Sequence, residues 1–164
     1  MKYNIFNPII SWVIKKRIHR IHAFMNEPIN SQKKIIENLI EKAKNTTWGK
    51  KYNYKNITNY TEFQKNVPIQ SYEDKKPYID LIKEGKKNIL WPNKIISFAK
   101  SSGTTNEKSK FIPITRDSLK KCHLKAGQDL LSIYANQFPN TKIFTGKSLM
   151  IGGSNALEKN SKIL

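Results

Sequence analysis

Between Ser101 and Lys110 the chain reads SSGTTNEKSK, with four hydroxyl side chains around one glycine and two lysines just beyond. Gly103 can adopt the positive φ that a tight loop needs. Successive backbone N–H groups in such a loop can turn inward as an anion-binding nest. Ser101, Ser102, Thr104 and Thr105 add short neutral donors, and Lys108 and Lys110 add charge. Many short donors, close backbone approach and a nearby cation together suit the oxygens of an oligophosphate. A Walker A loop requires G-x-x-x-x-G-K-[ST] at the start of a helix. Counting from Gly103, Lys108 falls where the second glycine belongs, so that pattern is not met.

Two short strands are predicted to hold the loop, ISFA before it and KFIPI after it. Both are rich in apolar and β-favouring residues, and Pro113 fits an edge or a strand end. Ser/Thr/Gly hairpins are common, so the flanking segments carry much of the weight. No Ser-His-Asp set, carboxylate dyad or metal cluster is legible in the rest of the chain. His19 and His22 lie i, i+3 on a predicted helix without further ligands nearby. His123 follows the loop on another helix, where a substrate-site role is open to it. The single cysteine, Cys122, excludes an intramolecular disulfide and reads as a small helix-face residue.

With 164 residues, 38% of them apolar, there is enough material for a core. The formal charge is +18, from 30 basic against 12 acidic residues, but only Arg17, Arg20 and Arg116 are arginine. Nucleic-acid sites favour arginine for bidentate contacts. The lysine excess therefore reads as solvated faces in a lysine-, asparagine- and isoleucine-biased composition, which would still attract anionic substrates. No nucleic-acid partner is expected. Lysines interleaved with Tyr52, Tyr54 and Tyr60 read as ordinary loop aromatics in the polar stretch KKYNYKNITNY.

In chain order, residues 1–27 hold an apolar segment followed by a basic one, too short to span a membrane and with its charges on the wrong side for a signal peptide. Ile14, Ile18, Ile21 and Met25 predict one continuing helical stripe docked on a core. Ser31 is expected to open a second helix with Ile35, Ile36, Leu39, Ile40 and Ala43 inward, broken at Trp48-Gly49. Residues 58–66 predict a short helix closed by Val67-Pro68. Ser71 and Asp74 predict an N-cap pair, with Pro77 dividing the following helix and Gly85 ending it. Thr115 is expected to cap a long helix with Leu119, Cys122, His123, Ala126, Leu130, Ile133 and Tyr134 on its inner stripe, stopped at Pro139-Asn140. KSLMIGGS predicts a strand entering a turn.

The segment SFAKSSGTTNEKSKFIPIT resembles the first nucleotide motif of the GH3 family of acyl-acid amido synthetases, within the adenylate-forming superfamily. VPIQSYEDKKPYIDLIKEGKKNILWP is similar to that family's lead-in, including its ILWP turn. The likeness extends weakly through NITNYTEFQKNVP and FTGKSLMIGGS, over about the last two-thirds of the chain. Where many family loops carry a glycine and a proline, Asn106, Glu107 and Ser109 stand here.

The resemblance implies an α/β fold. Residues 1–50 would be an N-terminal helical segment, and 51–164 the beginning of the large GH3-like nucleotide-binding domain, incomplete at its C-terminal end. It implies ATP and Mg²⁺, with a carboxylic acid and an amino acid as substrates; a cytoplasmic setting is the expectation from the single cysteine. By residue match, Ser101, Ser102, Gly103, Thr104 and Thr105 are the phosphate loop, with Ser102, Thr105 and the Gly103 backbone as direct contacts and Lys110 as the accompanying cation. The resemblance puts the acyl pocket mostly beyond Leu164, with Leu119 and His123 as residues that could line it, and the piece alone is expected to be inactive. A basic module for nucleic acid or an anionic membrane, or a catalytically silent GH3-like protein, are the alternatives.

Overall fold

The computed structural model describes residues 6–95, 97–101, 109–143, 147 and 149, leaving aside the side chains of 6–8, 10 and 11. These residues belong to two compact units, divided near Pro28 and again near Arg116.

The first unit is helical. Helix α1 spans Phe6–Lys15 and α2 spans Ile18–Asn26, so the single stripe expected through Met25 is interrupted. The Arg17 N–H bonds the Ile14 carbonyl at 3.1 Å in a tight final turn, and α2 starts afresh with the Arg20 N–H on the Arg17 carbonyl at 3.0 Å. Restarting the helix changes its phase. Ile21 is buried, Ile14 and Ile18 are half-buried, and Met25 faces solvent.

Both helices pack on α8, Leu124–Gln137. That helix continues from the short α7, Arg116–Ser118, through a π-turn at Leu119–His123. The inner stripe expected on this long helix is not the one observed. Leu119, Cys122, His123, Ala126, Leu130, Ile133 and Tyr134 are exposed, whereas Ser132 and Ala135 are fully buried. A π-turn takes up more residues per turn than the α-helix around it, so a pattern read at constant period loses phase across it. The buried pair is small, which permits close approach of a neighbouring backbone. Arg17 braces the unit, with Nε donating to Asp129 Oδ1 at 2.9 Å and Nη2 to the same oxygen.

The second unit contains the loop-bearing hairpin. Helix α3 runs Pro28–Ala43, starting at a proline rather than at Ser31. Proline suits a first helical position because its missing N–H would have no partner there. Ile40 and Ala43 are buried and Ile36 partly so, while Ile35 and Leu39 are exposed. The expected break at Trp48-Gly49 is instead a short helix, α4, Thr47–Lys51. Buried Thr46 caps it. Its Oγ1 accepts from the Gly49 N–H at 3.0 Å and donates to the Ala43 carbonyl at 2.7 Å. Gly49 marks a close approach rather than a stop, since a Cβ there would lie 2.1 Å from the Ala43 oxygen.

The stretch read as a polar linker supplies core. Tyr54 and Ile57 are buried with Ile40, Ala43 and Trp48, and the Trp48 indole donates to the Tyr54 hydroxyl at 3.1 Å. Burial pushes the Tyr54 phenol up from its usual pKa. Trp48 also meets Tyr78 edge-on at 5.2 Å. Helix α5, Tyr60–Asn66, lies within the expected 58–66, and the Asn59 side chain caps it.

Helix α6, Tyr72–Lys83, opens with the expected Ser71–Asp74 capping box. It runs through Pro77 unbroken. The bond lost there is one, early in the helix, to the solvent-facing residue Glu73. Gly85 ends the segment at φ +86°. Asn88 and Asn93, both at positive φ, then clasp a turn: the Asn88 N–H bonds the Asn93 carbonyl, and the Asn93 N–H bonds Asn88 Oδ1 at 2.7 Å. The Thr47 and Trp48 N–H groups, unpaired by their own helix, bond the Asn88 and Ile89 carbonyls at 2.8 and 3.0 Å. Ile82, Ile89 and Ile95 form a second cluster that shares Tyr78, Leu90 and Trp91 with the first and reaches Phe98 on the hairpin.

Candidate functional site

Strand β1, Ser97–Lys100, pairs antiparallel with β2, Phe111–Ile114, in the register Ser97↔Ile114 to Lys100↔Phe111. This is the strand–loop–strand arrangement expected from the sequence. One step beyond, Ser101 and Lys110 close the neck. The Ser101 N–H bonds the Lys110 carbonyl at 2.9 Å, and the Lys110 N–H bonds Ser101 Oγ at 2.9 Å. The serine hydroxyl thus takes the position that a carbonyl holds in an ordinary ladder. Of the expected loop residues, Ser101 and Lys110 are brought together in this way. Ser102, Gly103, Thr104 and Thr105 lie outside the described residues.

Antiparallel pairing alternates bonded and non-bonded pairs. Ser101 with Lys110 is a bonded pair, so Phe111 and Pro113 turn their backbone nitrogens away from β1. Pro113, having no N–H, loses nothing there. The Phe111 N–H does need an acceptor, and the Tyr72 hydroxyl provides it at 3.0 Å. Tyr72 is the first residue of α6, which fixes its position through the capping box.

Cations gather at the same end of the hairpin. Lys83 Nζ lies 3.5 Å and Lys100 Nζ 5.8 Å from the Phe111 ring centroid. Lys110 Nζ lies 5.9 Å over the Tyr72 ring. Rings hold ammonium groups by their quadrupole without neutralising them. Lys100 adjoins the serine pair and was open to discovery from sequence. Tyr72 and Lys83 were not, because no local pattern links them to a loop so far along the chain.

Leu119 and His123, considered as pocket residues, are both exposed on the π-turn of the other unit. Among the described residues, no group of three or more His, Cys, Asp or Glu side chains converges on a point. Among them, too, no helix is long and apolar enough to cross a membrane.

Comparison with known proteins points the same way. The GH3 family N-terminal domain matches residues 17–163. Indole-3-acetic acid-amido synthetase GH3.2 of Arabidopsis thaliana is 28% identical over 110 residues, covering 66% of this chain and 20% of that protein. 4-Substituted benzoates-glutamate ligase GH3.12, also from Arabidopsis thaliana, is 44% identical over 52 residues, 31% of this chain and 9% of that protein. Among solved structures, the AtGH3.15 acyl acid amido synthetase in complex with 2,4-DB aligns with a TM-score of 0.56 at 25% identity, covering 64% of this chain and 18% of that one. The chain spans about a fifth of the length of the curated relatives it matches. A profile match over so much of the chain, together with a hairpin where the nucleotide motif was expected, establishes that it belongs to the GH3 family, as part of its N-terminal domain.

Proposed function

We propose that this chain forms the N-terminal part of an ATP-dependent acyl-acid amido synthetase and contributes the grip on the triphosphate. The supporting observation is the closed hairpin neck at Ser101 and Lys110, in a chain matched by the GH3 N-terminal domain. In the first half-reaction a carboxylate oxygen of the acid attacks the α-phosphorus of ATP. The bond from that phosphorus to the bridging oxygen breaks, and pyrophosphate leaves with the electron pair. In the second, an amino-acid amine attacks the acyl carbon, AMP departs, the amine loses a proton and an amide remains.

The chain's part in this is positional and electrostatic. Backbone N–H groups of the loop with the Ser102 and Thr105 hydroxyls would hold the β- and γ-phosphates where charge accumulates on the leaving group. Lys110, at the foot of β2, would supply a cation beside them. Ser101 has its oxygen engaged by the Lys110 N–H, so its role is to close the neck rather than to lead the contact. Mg²⁺ would arrive with ATP as part of the substrate, held largely by phosphate oxygens. The acid, the amino acid and a cytoplasmic setting complete this reading.

The test is acid-dependent ATP–pyrophosphate exchange in the complete synthetase. Ser102→Ala with Thr105→Ala should lower the exchange rate about 100-fold or more while leaving the unfolding midpoint nearly unchanged. An unaltered rate in that variant removes the loop from the reaction.

A further inference from the structure

We propose that Tyr72 is a positioning residue of the phosphate grip, acting through the strand that leaves the loop. This rests on the reading above and adds to it a residue that lies outside the loop motif.

Three contacts carry the inference. First, the Tyr72 hydroxyl accepts the Phe111 N–H at 3.0 Å. With Pro113 lacking an N–H, this is the donor on the outer edge of β2 between Phe111 and Pro113 that must be satisfied. Phe111 directly follows Lys110, so fixing its nitrogen fixes the peptide plane from which Lys110 is presented. Second, the Tyr72 ring lies under Lys110 Nζ at 5.9 Å, so one side chain restrains both the backbone and the ammonium. Third, Tyr72 is itself held. It follows Ser71, whose N–H bonds Asp74 Oδ2 at 2.8 Å and whose hydroxyl accepts from the Asp74 N–H at 3.3 Å. The start of α6 is thereby tied to the neck of the hairpin through the Tyr72 hydroxyl.

A two-stranded hairpin is marginal by itself, and a loop at its tip inherits any rocking of its base. Tethering β2 to a capped helix removes that freedom before the nucleotide arrives, so binding need not pay for it. The contribution should therefore appear in affinity for ATP and not in the chemistry of the acid.

The experiment uses the complete synthetase with Tyr72→Phe, which deletes the hydroxyl and keeps the ring. With acid absent, the Kd for ATP should rise about fivefold, the equivalent of one neutral hydrogen bond. The KM for the acid and the fraction of active enzyme should stay as in wild type. Hydrogen–deuterium exchange over 109–114 should quicken, which a purely global loss of stability would not confine to that peptide. Tyr72→Leu, lacking the ring as well, should weaken ATP further. An ATP Kd equal to wild type in Tyr72→Phe overturns the proposal, and so does a loss expressed only as a lower active fraction. The Ser102→Ala/Thr105→Ala variant is measured alongside. If its exchange collapses while Tyr72→Phe binds ATP normally, Tyr72 alone loses its role. If its exchange is unaltered, the phosphate-loop reading fails and this inference goes with it.

Discussion

Asp74 shows how one side chain can set the geometry of a distant segment. The Ser71 hydroxyl and N–H hold its carboxyl below the usual carboxylate pKa. A carboxylate depressed in the folded state stabilises that state above its ordinary pKa near 4 and withdraws the support as pH falls through the folded value. Ser71→Ala should move the Asp74 pKa back up, read by carboxyl-carbon NMR titration, and bring acid unfolding on at a higher pH. Glu62, held down by the Thr58 N–H and hydroxyl, has the same sign and should titrate independently of Ser71. Asp74 was legible as a cap partner because the pattern is local. The Tyr72 hydroxyl was not, since its partner is a backbone group 39 positions away. Nor was the burial of Tyr54, because a tyrosine in an asparagine-rich stretch looks polar until its hydroxyl is seen accepting from Trp48.

Among the elements, those with a strong local signature were read correctly: the short helix α5 ahead of Val67-Pro68, the start of α6 and its glycine end, and the two strands of the hairpin. The errors came where a local rule met a particular setting, a proline early in its helix and a glycine set against buried main chain. Pro77 does not divide α6, and Trp48-Gly49 does not end a helix. At α4 the decisive group is Thr46, which is 1% exposed and bonds both ends of the turn. Valine has its shape without its hydroxyl. Thr46→Val should lower stability by about 2 kcal/mol, since the buried Gly49 N–H loses its acceptor. A urea titration should show the midpoint fall with an unchanged slope, and Thr46→Ser should recover most of the loss. The long helix teaches a different lesson. Its π-turn at Leu119–His123 has no sequence signal, yet it shifts the phase of the residues that follow.

At the scale of the whole molecule, family membership was the most legible property, because the loop and its ILWP lead-in lie in one continuous run of sequence. The partition of the described residues into two units was not legible, because the first unit joins the start of the chain to residues beyond Asp117. Arg17 and Asp129 make that join, with side chains 19% and 29% exposed. A double-mutant cycle with Arg17→Met and Asp129→Asn should return a coupling of about 1 kcal/mol. The coupling should shrink in 1 M salt, where charges are screened within about 3 Å. A value near zero at low salt would leave the unit to the packing of α1 and α2 on α8.

The space around Gly49 has an evolutionary corollary. With the Ala43 oxygen 2.1 Å from where the first side-chain carbon would sit, even a single methyl group has nowhere to go without moving main chain. In a library randomised at positions 49 and 50 and sorted for folded molecules, the first should return one amino acid while solvent-facing Lys50 drifts freely. Substitution rates that differ so sharply between adjacent codons would record a steric boundary, independent of any selection for catalysis.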